Sequence, residues 1–357
     1  PYIIENEEQL IALVNGELPK SSGVYYELGN DISVTARHWT PIGSNGTDSF
    51  AGIFDGKGYT ISGIRLSNSE YRYVGLFGEN TGTIKNLNVS VSIEGVYFVG
   101  GIAGSNSGTI DNCSVSGSVS GVDSCQNTGG LVGRNSGIVS NSNSSAIVTS
   151  SYQFAGGLIG YNEGTITFSY ATGNVSGKDY VGGLVGRNYC STSGATAVVR
   201  YCYAKGTVTA SGYAGGLIGE NYAHGTNNTA LVEYSYAHGN VTGTSSAGGL
   251  VGSNNKYNSG GQPKISYCYS VGNISCNYKG GLVGYNLGTI TSSYYNSTTS
   301  NCSDIDKGTP LSDDAMKIQT SYVGWDFSNI WAVNNSYPYL IKLTPVETIS
   351  VTGVTIN

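Results

Sequence analysis

Five tyrosines stand at matching places in five successive stretches of this chain: Tyr170, Tyr203, Tyr236, Tyr269 and Tyr294. Flat aromatic rings spaced along one face can stack on sugar rings, and an exposed stripe of them marks an interaction surface. The same rings can instead stack on one another and stiffen the sheet that carries them, leaving their hydroxyls in water. They are the most definite ligand-binding candidates in the sequence. Other chemistry has little to stand on. Histidine occurs only at His38, His224 and His238, with no His-Glu-x-x-His pair to hold zinc. His238 falls at an outward position that Thr172 and Lys205 share in other stretches, which favours a solvated residue. A Ser-His-Asp reading would be arbitrary among so many serines. Hydrolysis of a polysaccharide needs two carboxylates facing one cleft, about 5 to 9.5 Å apart. The acids gather elsewhere, at Glu5, Glu7 and Glu8 and at Asp304, Asp306, Asp313 and Asp314. Asp304 and Asp306 lack the glycine and terminal glutamate of a calcium loop, and Asp313 and Asp314 follow Ser312 as the first turn of a short helix would. No catalytic residue, cofactor or metal site is therefore expected.

The element that must position the tyrosines is a repeat. Tyr180-Val181-Gly182-Gly183-Leu184-Val185-Gly186 has its core copied at Gly75-Leu76-Phe77-Gly78, Gly101-Ile102-Ala103-Gly104, Gly130-Leu131-Val132-Gly133, Gly157-Leu158-Ile159-Gly160, Gly216-Leu217-Ile218-Gly219, Gly249-Leu250-Val251-Gly252 and Gly281-Leu282-Val283-Gly284. The glycine before each apolar pair sits at 75, 101, 130, 157, 183, 216, 249 and 281, giving eight copies at spacings of 26 to 33 residues. A period in this range signals a repeat architecture. Each copy continues into short β-prone runs broken by Gly and Asn, as in Gly164-Thr165-Ile166-Thr167-Phe168-Ser169-Tyr170-Ala171-Thr172-Gly173-Asn174-Val175. Each copy reads as one coil of a β-solenoid, three short strands and their turns, stacked at about 4.8 Å.

Alternation tells inside from outside. Ser169, Ala171, Gly173 and Val175 align with Cys202, Ala204, Gly206 and Val208 and with Ser235, Ala237, Gly239 and Val241, so small and apolar residues face a narrow core. Tyr203, Lys205 and Thr207, or Tyr236, His238 and Asn240, lie between them and face water. Just before the small residue stand Asn86, Asn112 and Asn141 in early coils and Phe168, Tyr201, Tyr234 and Tyr267 in later ones, an arrangement that makes amide and ring ladders. Insertions at 189–197, 222–228 and 254–262 are expected to bulge from one corner, where repeat proteins often bind.

The Gly-Gly-Leu-Val-Gly core, followed by Gly-Thr-Ile, a Ser/Cys-Tyr pair and Gly-Asn-Val, resembles the GLUG repeat family of bacterial surface proteins over residues 73–295. The resemblance implies a secreted or wall-attached bacterial protein, adhesin-like or an immunoglobulin A peptidase whose repeats accompany a separate catalytic domain. The zinc chemistry of such peptidases has no residues to sit on in this sequence. The stretch Phe50-Ala51-Gly52-Ile53-Phe54-Asp55-Gly56 is similar to the opening coils of right-handed parallel β-helices of the pectate-lyase type, which implies that hand.

Composition agrees. The chain has 357 residues, 54 of them Gly, 28 Tyr and one Met, with 11% charged, which fits an elongated polar-faced solenoid. The net charge of −6 with no basic run gives nucleic acid and anionic membrane surfaces nothing to hold, and no stretch is long and apolar enough to span a bilayer. Seven cysteines include Cys113, Cys202 and Cys268 at the small inward position. With the Ser235 coil between them, Cys202 and Cys268 should lie about 9.6 Å apart, beyond the disulfide limit of about 7 Å, so buried free thiols are favoured. Cys125, Cys190, Cys276 and Cys302 lie outside this column, and the sequence leaves their pairing open.

The expected fold is all-β: a right-handed single-stranded parallel β-helix of about eight repeat coils plus N-terminal coils. Residues 1–66 hold a cap helix, with Asn6 capping, Gln9 in capping-box position and Gly16 ending it, and the first coils. Residues 67–300 form the solenoid, and 301–345 an aromatic cap over the last coil, built from Trp325, Phe327, Ile330, Trp331, Tyr337, Tyr339 and Leu340. Residues 346–357 read as a linker or the start of an immunoglobulin-like domain, in a monomeric fragment of a larger modular protein. The functional expectation is a non-enzymatic bacterial surface module, an adhesin-like binder of a glycan or extracellular protein, or a stalk. A polysaccharide-degrading enzyme and a structural spacer beside a catalytic domain are the alternatives.

Overall fold

The computed structural model describes residues 1–44, 48–67, 70–192, 194–257 and 260–343. Its backbone pairing sorts the strands of each coil onto four faces. In the coil that opens at Phe154, Phe154–Gly156 lies on face one, Ile159–Asn162 on face two and Thr165–Thr167 on face three, while Tyr170–Ala171 and Val175–Gly177 share face four. Strands pair in parallel with the next coil, as where Ile166 meets Val199 and Ala171 meets Ala204. Faces one and two carry eight strands each among the described residues. Face three has eleven, because Tyr2–Ile4, Tyr25–Leu28 and Ile53–Asp55 precede the repeats. The protein is a parallel β-solenoid.

The expectation of three strands per coil is corrected: the strands of each repeat coil occupy four faces, with one long strand or two short ones on the fourth. Gly-Gly-Leu-Val-Gly looks like one apolar run, but the chain turns inside it, at Gly157 and Leu158. Glycine is required there by contact, not by periodicity. A Cβ on Gly156 would lie 2.0 Å from the carbonyl oxygen of Ile159, and one on Gly186 would lie 2.5 Å from the carbonyl oxygen of Gly160. Faces one and two therefore fold against each other as a concave corner that only bare backbone can line.

Inside, the alternation holds. Ser169, Ala171, Cys202, Ala204, Ser235 and Ala237 are fully buried. The inward serines do more than fill space: Ser169 Oγ donates to the carbonyl of Thr167 at 2.8 Å and accepts the amide of Ser142 at 3.1 Å. Cys202 Sγ contacts the carbonyl of Arg200 at 3.1 Å, so the thiol takes the hydroxyl's place. All seven cysteines are unpaired thiols, and burial pushes Cys113 and Cys202 up to about 12.

A second column, at the corner between faces two and three, ties the coils together. Asn80, Asn106, Asn135, Asn162, Asn188, Asn221, Asn254 and Asn286 stand two residues after the last glycine of each repeat. Each Nδ2 donates to the Oδ1 of the next, at 2.7 or 2.8 Å through all seven steps. The first seven side chains are fully buried, and a buried amide leaves nothing to spare for error. The other ladder follows face three. Asn112 donates to Asn86 at 2.8 Å, and Asn141 turns instead to Asp111. Phe168, Tyr201, Tyr234 and Tyr267 stack at 4.8, 5.2 and 4.9 Å. All these residues have φ between 46° and 55°, a left-handed conformation that asparagine accepts and that a bulky ring adopts only under support from its neighbours.

At the N-terminus, α1 (Glu7–Asn15) is capped by Asn6, whose side chain accepts the Gln9 amide at 3.0 Å, and it ends at Gly16 with φ 79°. Leu10 and Leu13 bury against the first coils with Ile4, Tyr26 and Leu28. The described parts of the insertions extend the coils at the corner between faces two and three. They lengthen the strands on faces two and three, to Val185–Cys190, Ile218–Ala223 and Val251–Lys256 and to Thr196–Arg200, Thr229–Glu233 and Gln262–Ser266. Residues 346–357, read as a linker or an immunoglobulin-like start, lie outside the described residues.

Cutting the asparagine ladder in its middle should cost most. Asn162→Ala removes the ladder acceptor of Asn135 and the ladder donor of Asn188, for a loss of roughly 2–4 kcal/mol. Asn286→Ala, at the half-buried end with one ladder bond, should cost clearly less. Urea unfolding followed by circular dichroism checks the difference.

Candidate functional site

The expected tyrosine stripe does leave face four, and its rings stack: Tyr170 on Tyr203 at 4.7 Å, Tyr203 on Tyr236 at 4.9 Å and Tyr236 on Tyr269 at 5.1 Å. It is not exposed. Tyr203, Tyr236, Tyr269 and Tyr294 are buried, and only Tyr170 is half open. The cover is the chain's own C-terminal segment. Tyr322, Trp325 and Trp331 pack on these rings, with Trp331 at 6.1 Å from Tyr236 and Trp325 at 5.9 Å from Tyr294. Farther back, Lys342 sits over the ring of Phe168. Residues 315–343 are thus a strap along the flank rather than a plug on the last coil, because the rings offer a longer apolar surface than the solenoid's end does. The strap is fixed by polar contacts as well: Asp313 accepts from Asn296, Lys317 and Tyr337, which hold its carboxyl down at about 2.

His238 is also corrected. Instead of facing water it lies among Tyr236, Tyr269 and Tyr337, with Nε2 at 2.7 Å from the Tyr269 hydroxyl. Burial first, and the Lys205 charge second, lower it to about 4.

A second aromatic surface lies on the concave corner of faces one and two, where Tyr73, Tyr161, Tyr180 and Tyr213 are half-exposed and Phe98 and Phe154 are buried beside a cavity. Face one places Tyr73, Phe98, Asn127 and Phe154 in one column by register. Tyr180 and Tyr213 continue it, stacking at 5.5 and 5.1 Å. Face two opposes this column with Arg134, Tyr161, Arg187 and Glu220. The two columns meet over the glycine-lined corner: Phe154 lies 5.4 Å from Tyr161 and 5.1 Å from the Arg187 guanidinium. A cavity of about 320 Å³ opens there, walled by Phe98, Phe154 and Tyr161, with Arg134 and Arg187 on one side and Gln126, Asn127 and Gln153 on the other. That volume is at the lower end of what small-ligand sites use.

Its electrostatics are balanced. Arg134 donates twice to Glu163, at 3.0 and 2.6 Å; burial would lower the guanidinium, and this carboxylate holds it raised. Arg187 Nε lies 2.8 Å from the buried Glu220, whose carboxyl burial pushes up against the pull of that arginine. Arg187 is also held between Tyr189 and Tyr222, 4.6 Å from each ring. Burial raises Tyr161, and Tyr180 to about 12, so both remain neutral phenols. The site offers planar apolar walls, neutralised guanidinium planes and three carboxamides. It can bind a ring that is apolar on its faces and hydroxylated at its edge.

The sequence reading passed over this site. Its signal is the column Tyr73, Phe98, Phe154, Tyr180, Tyr213, which always stands two residues before the first glycine of the repeat.

The family model of the GLUG motif matches residues 97–120 and 179–209. The chain carries GLUG motifs. In them the paired glycines build the concave corner. A protein of Evansella cellulosilytica, provisionally named a Gly-rich membrane protein, is 35% identical over 109 residues, a match that spans 27% of this chain and 12% of that relative. Among solved structures, a Bacteroides ovatus chain described as a candidate immunoglobulin A1 protease aligns with a TM-score of 0.56 at 22% identity, covering 96% of this chain and 92% of that one. At that identity the likeness shows a shared fold. Among the described residues no helix is long and apolar enough to cross a membrane.

The strap should answer to pH through His238. Its folded value of about 4 is below the ordinary 6.5, so the opened state takes up the proton first, and the strap loses stability as pH falls from about 6.5 toward 4. Fluorescence of Trp325 and Trp331 should report loosening over that window, and His238→Gln should flatten the response.

Proposed function

We propose that this chain is a non-enzymatic binding module displayed by a bacterium outside the cell, and that it holds a glycan in the corner groove between faces one and two. The observation that carries this reading is the side of that groove. The carboxamides of Gln126, Asn127 and Gln153 stand together there, beside the aromatic walls of the cavity. A carboxamide both donates and accepts, so three of them beside planar apolar walls match a ring that is apolar on its faces and hydroxylated at its edge. GLUG motifs, the name of the Evansella relative and the solenoid fold support a place on the bacterial surface. The tyrosine row of face four serves chiefly as the seat of the strap, with Tyr170 as its one accessible ring.

A polysaccharide-degrading enzyme would need one carboxyl kept protonated and a second poised as base or nucleophile. In the groove, Glu163 and Glu220 are each held by an arginine, which favours binding over cleavage.

A glycan array with the purified chain tests the proposal. Selective binding is expected, weakened about tenfold or more by Phe154→Ala or Tyr161→Ala and unchanged by Tyr170→Ala. Release of reducing ends from any polysaccharide would overturn the non-enzymatic reading. Absence of binding by the folded protein would leave a spacer.

A further inference from the structure

The aromatic column of face one has one rung missing. Registers align Phe98 with Asn127 and Asn127 with Phe154, so the two phenylalanines lie two coils apart, about 9.6 Å at the strand spacing. Elsewhere in the column adjacent rings are in contact, Tyr73 with Phe98 at 5.5 Å and Phe154 with Tyr180 at 5.5 Å. The gap is therefore the thickness of one more ring. It coincides with the cavity of about 320 Å³, whose lining includes the short side chain of Asn127 where the other rungs carry a ring.

We propose that one pyranose unit of the glycan enters this gap as the missing rung, sandwiched between Phe98 and Phe154, and that the site selects an uncharged sugar of gluco configuration. This rests on the reading of the groove as a glycan site. A sandwich puts a ring against both faces of the sugar, so both faces must present C–H groups. That holds when every ring hydroxyl is equatorial. An axial hydroxyl, as in galactose or mannose, would meet an aromatic face unpaired, and an unmet hydroxyl removed from water is costly. The equatorial hydroxyls point to the edge, where Gln126, Asn127 and Gln153 can pair them. Charge inside the cavity argues the same way: Arg134 and Arg187, its two cationic lining residues, already hold Glu163 and Glu220, while Arg72 lies outside that lining over the Phe98 ring.

The decisive substitution is Asn127→Tyr, which supplies the missing ring from the protein itself. Calorimetric titration with cello- and chito-oligosaccharides, alongside galacto- and manno-configured ones of equal length, should show at least a tenfold preference for the gluco series. Asn127→Tyr should abolish binding while its melting temperature stays level or rises, since the column becomes continuous. Should that variant not fold, Asn127→Leu fills much of the gap and serves the same comparison. Binding that survives a folded Asn127→Tyr but falls with Phe154→Ala would overturn the slot and leave the groove reading intact, as would equal affinity for gluco and axial sugars. No affinity of the wild type for any of the four series would remove both.

Discussion

Seven amide-to-amide bonds, running unbroken through one corner of the solenoid, set the terms for the rest of the structure. An asparagine side chain is short, so each bond holds neighbouring backbones at the coil spacing and in register. A residue slipped by one would carry the amide to the other side of the wall. The buried column thereby does what hydrophobic packing alone does poorly. Apolar surface is indifferent to a small sliding of one coil on the next, whereas an unpaired buried amide is not. Once register is fixed, every other residue type in the repeat falls into a column of its own kind: serine and cysteine inside, rings and arginines outside.

Those columns explain where function can arise. A perfect ladder satisfies itself; each ring covers the next, and each amide is met. The proposed binding slot falls where a column is interrupted, and the only position of the face-one column between Tyr73 and Tyr213 that lacks a ring is Asn127. The glycines of the GLUG motif matter here for a second reason. By letting faces one and two close on each other, they bring Phe154 from one face onto Tyr161 and Arg187 from the other. A convex corner would have held the same side chains apart.

The strap shows the opposite outcome for an aromatic row. Tyr203, Tyr236, Tyr269 and Tyr294 form as regular a stripe as any, and the chain consumes it to bury Trp325 and Trp331. The driving force is area: large rings on both partners are removed from water together, and the hydroxyl of Tyr269 finds the Pro338 carbonyl. His238 is caught beneath it as a neutral ring, which makes this seam the acid-sensitive part of the molecule.

By itself the sequence determined the solenoid, its inward column of small residues with the free thiols in it, and the capped N-terminal helix. These follow from local pattern and from contacts between one coil and the next, and a repeat prints such contacts as periodicity. The asparagine column was legible too, in all eight copies, though its meaning depends on the corner it occupies. Only the tertiary structure decided that each coil has four faces, since the turn at Gly157 and Leu158 is hidden inside an apolar run. Only it decided which aromatic row the C-terminal strap covers. Lys342 reaches Phe168 four coils back from the last repeat, and a contact between a repeat and a non-repeating tail leaves no period in the sequence from which to read it.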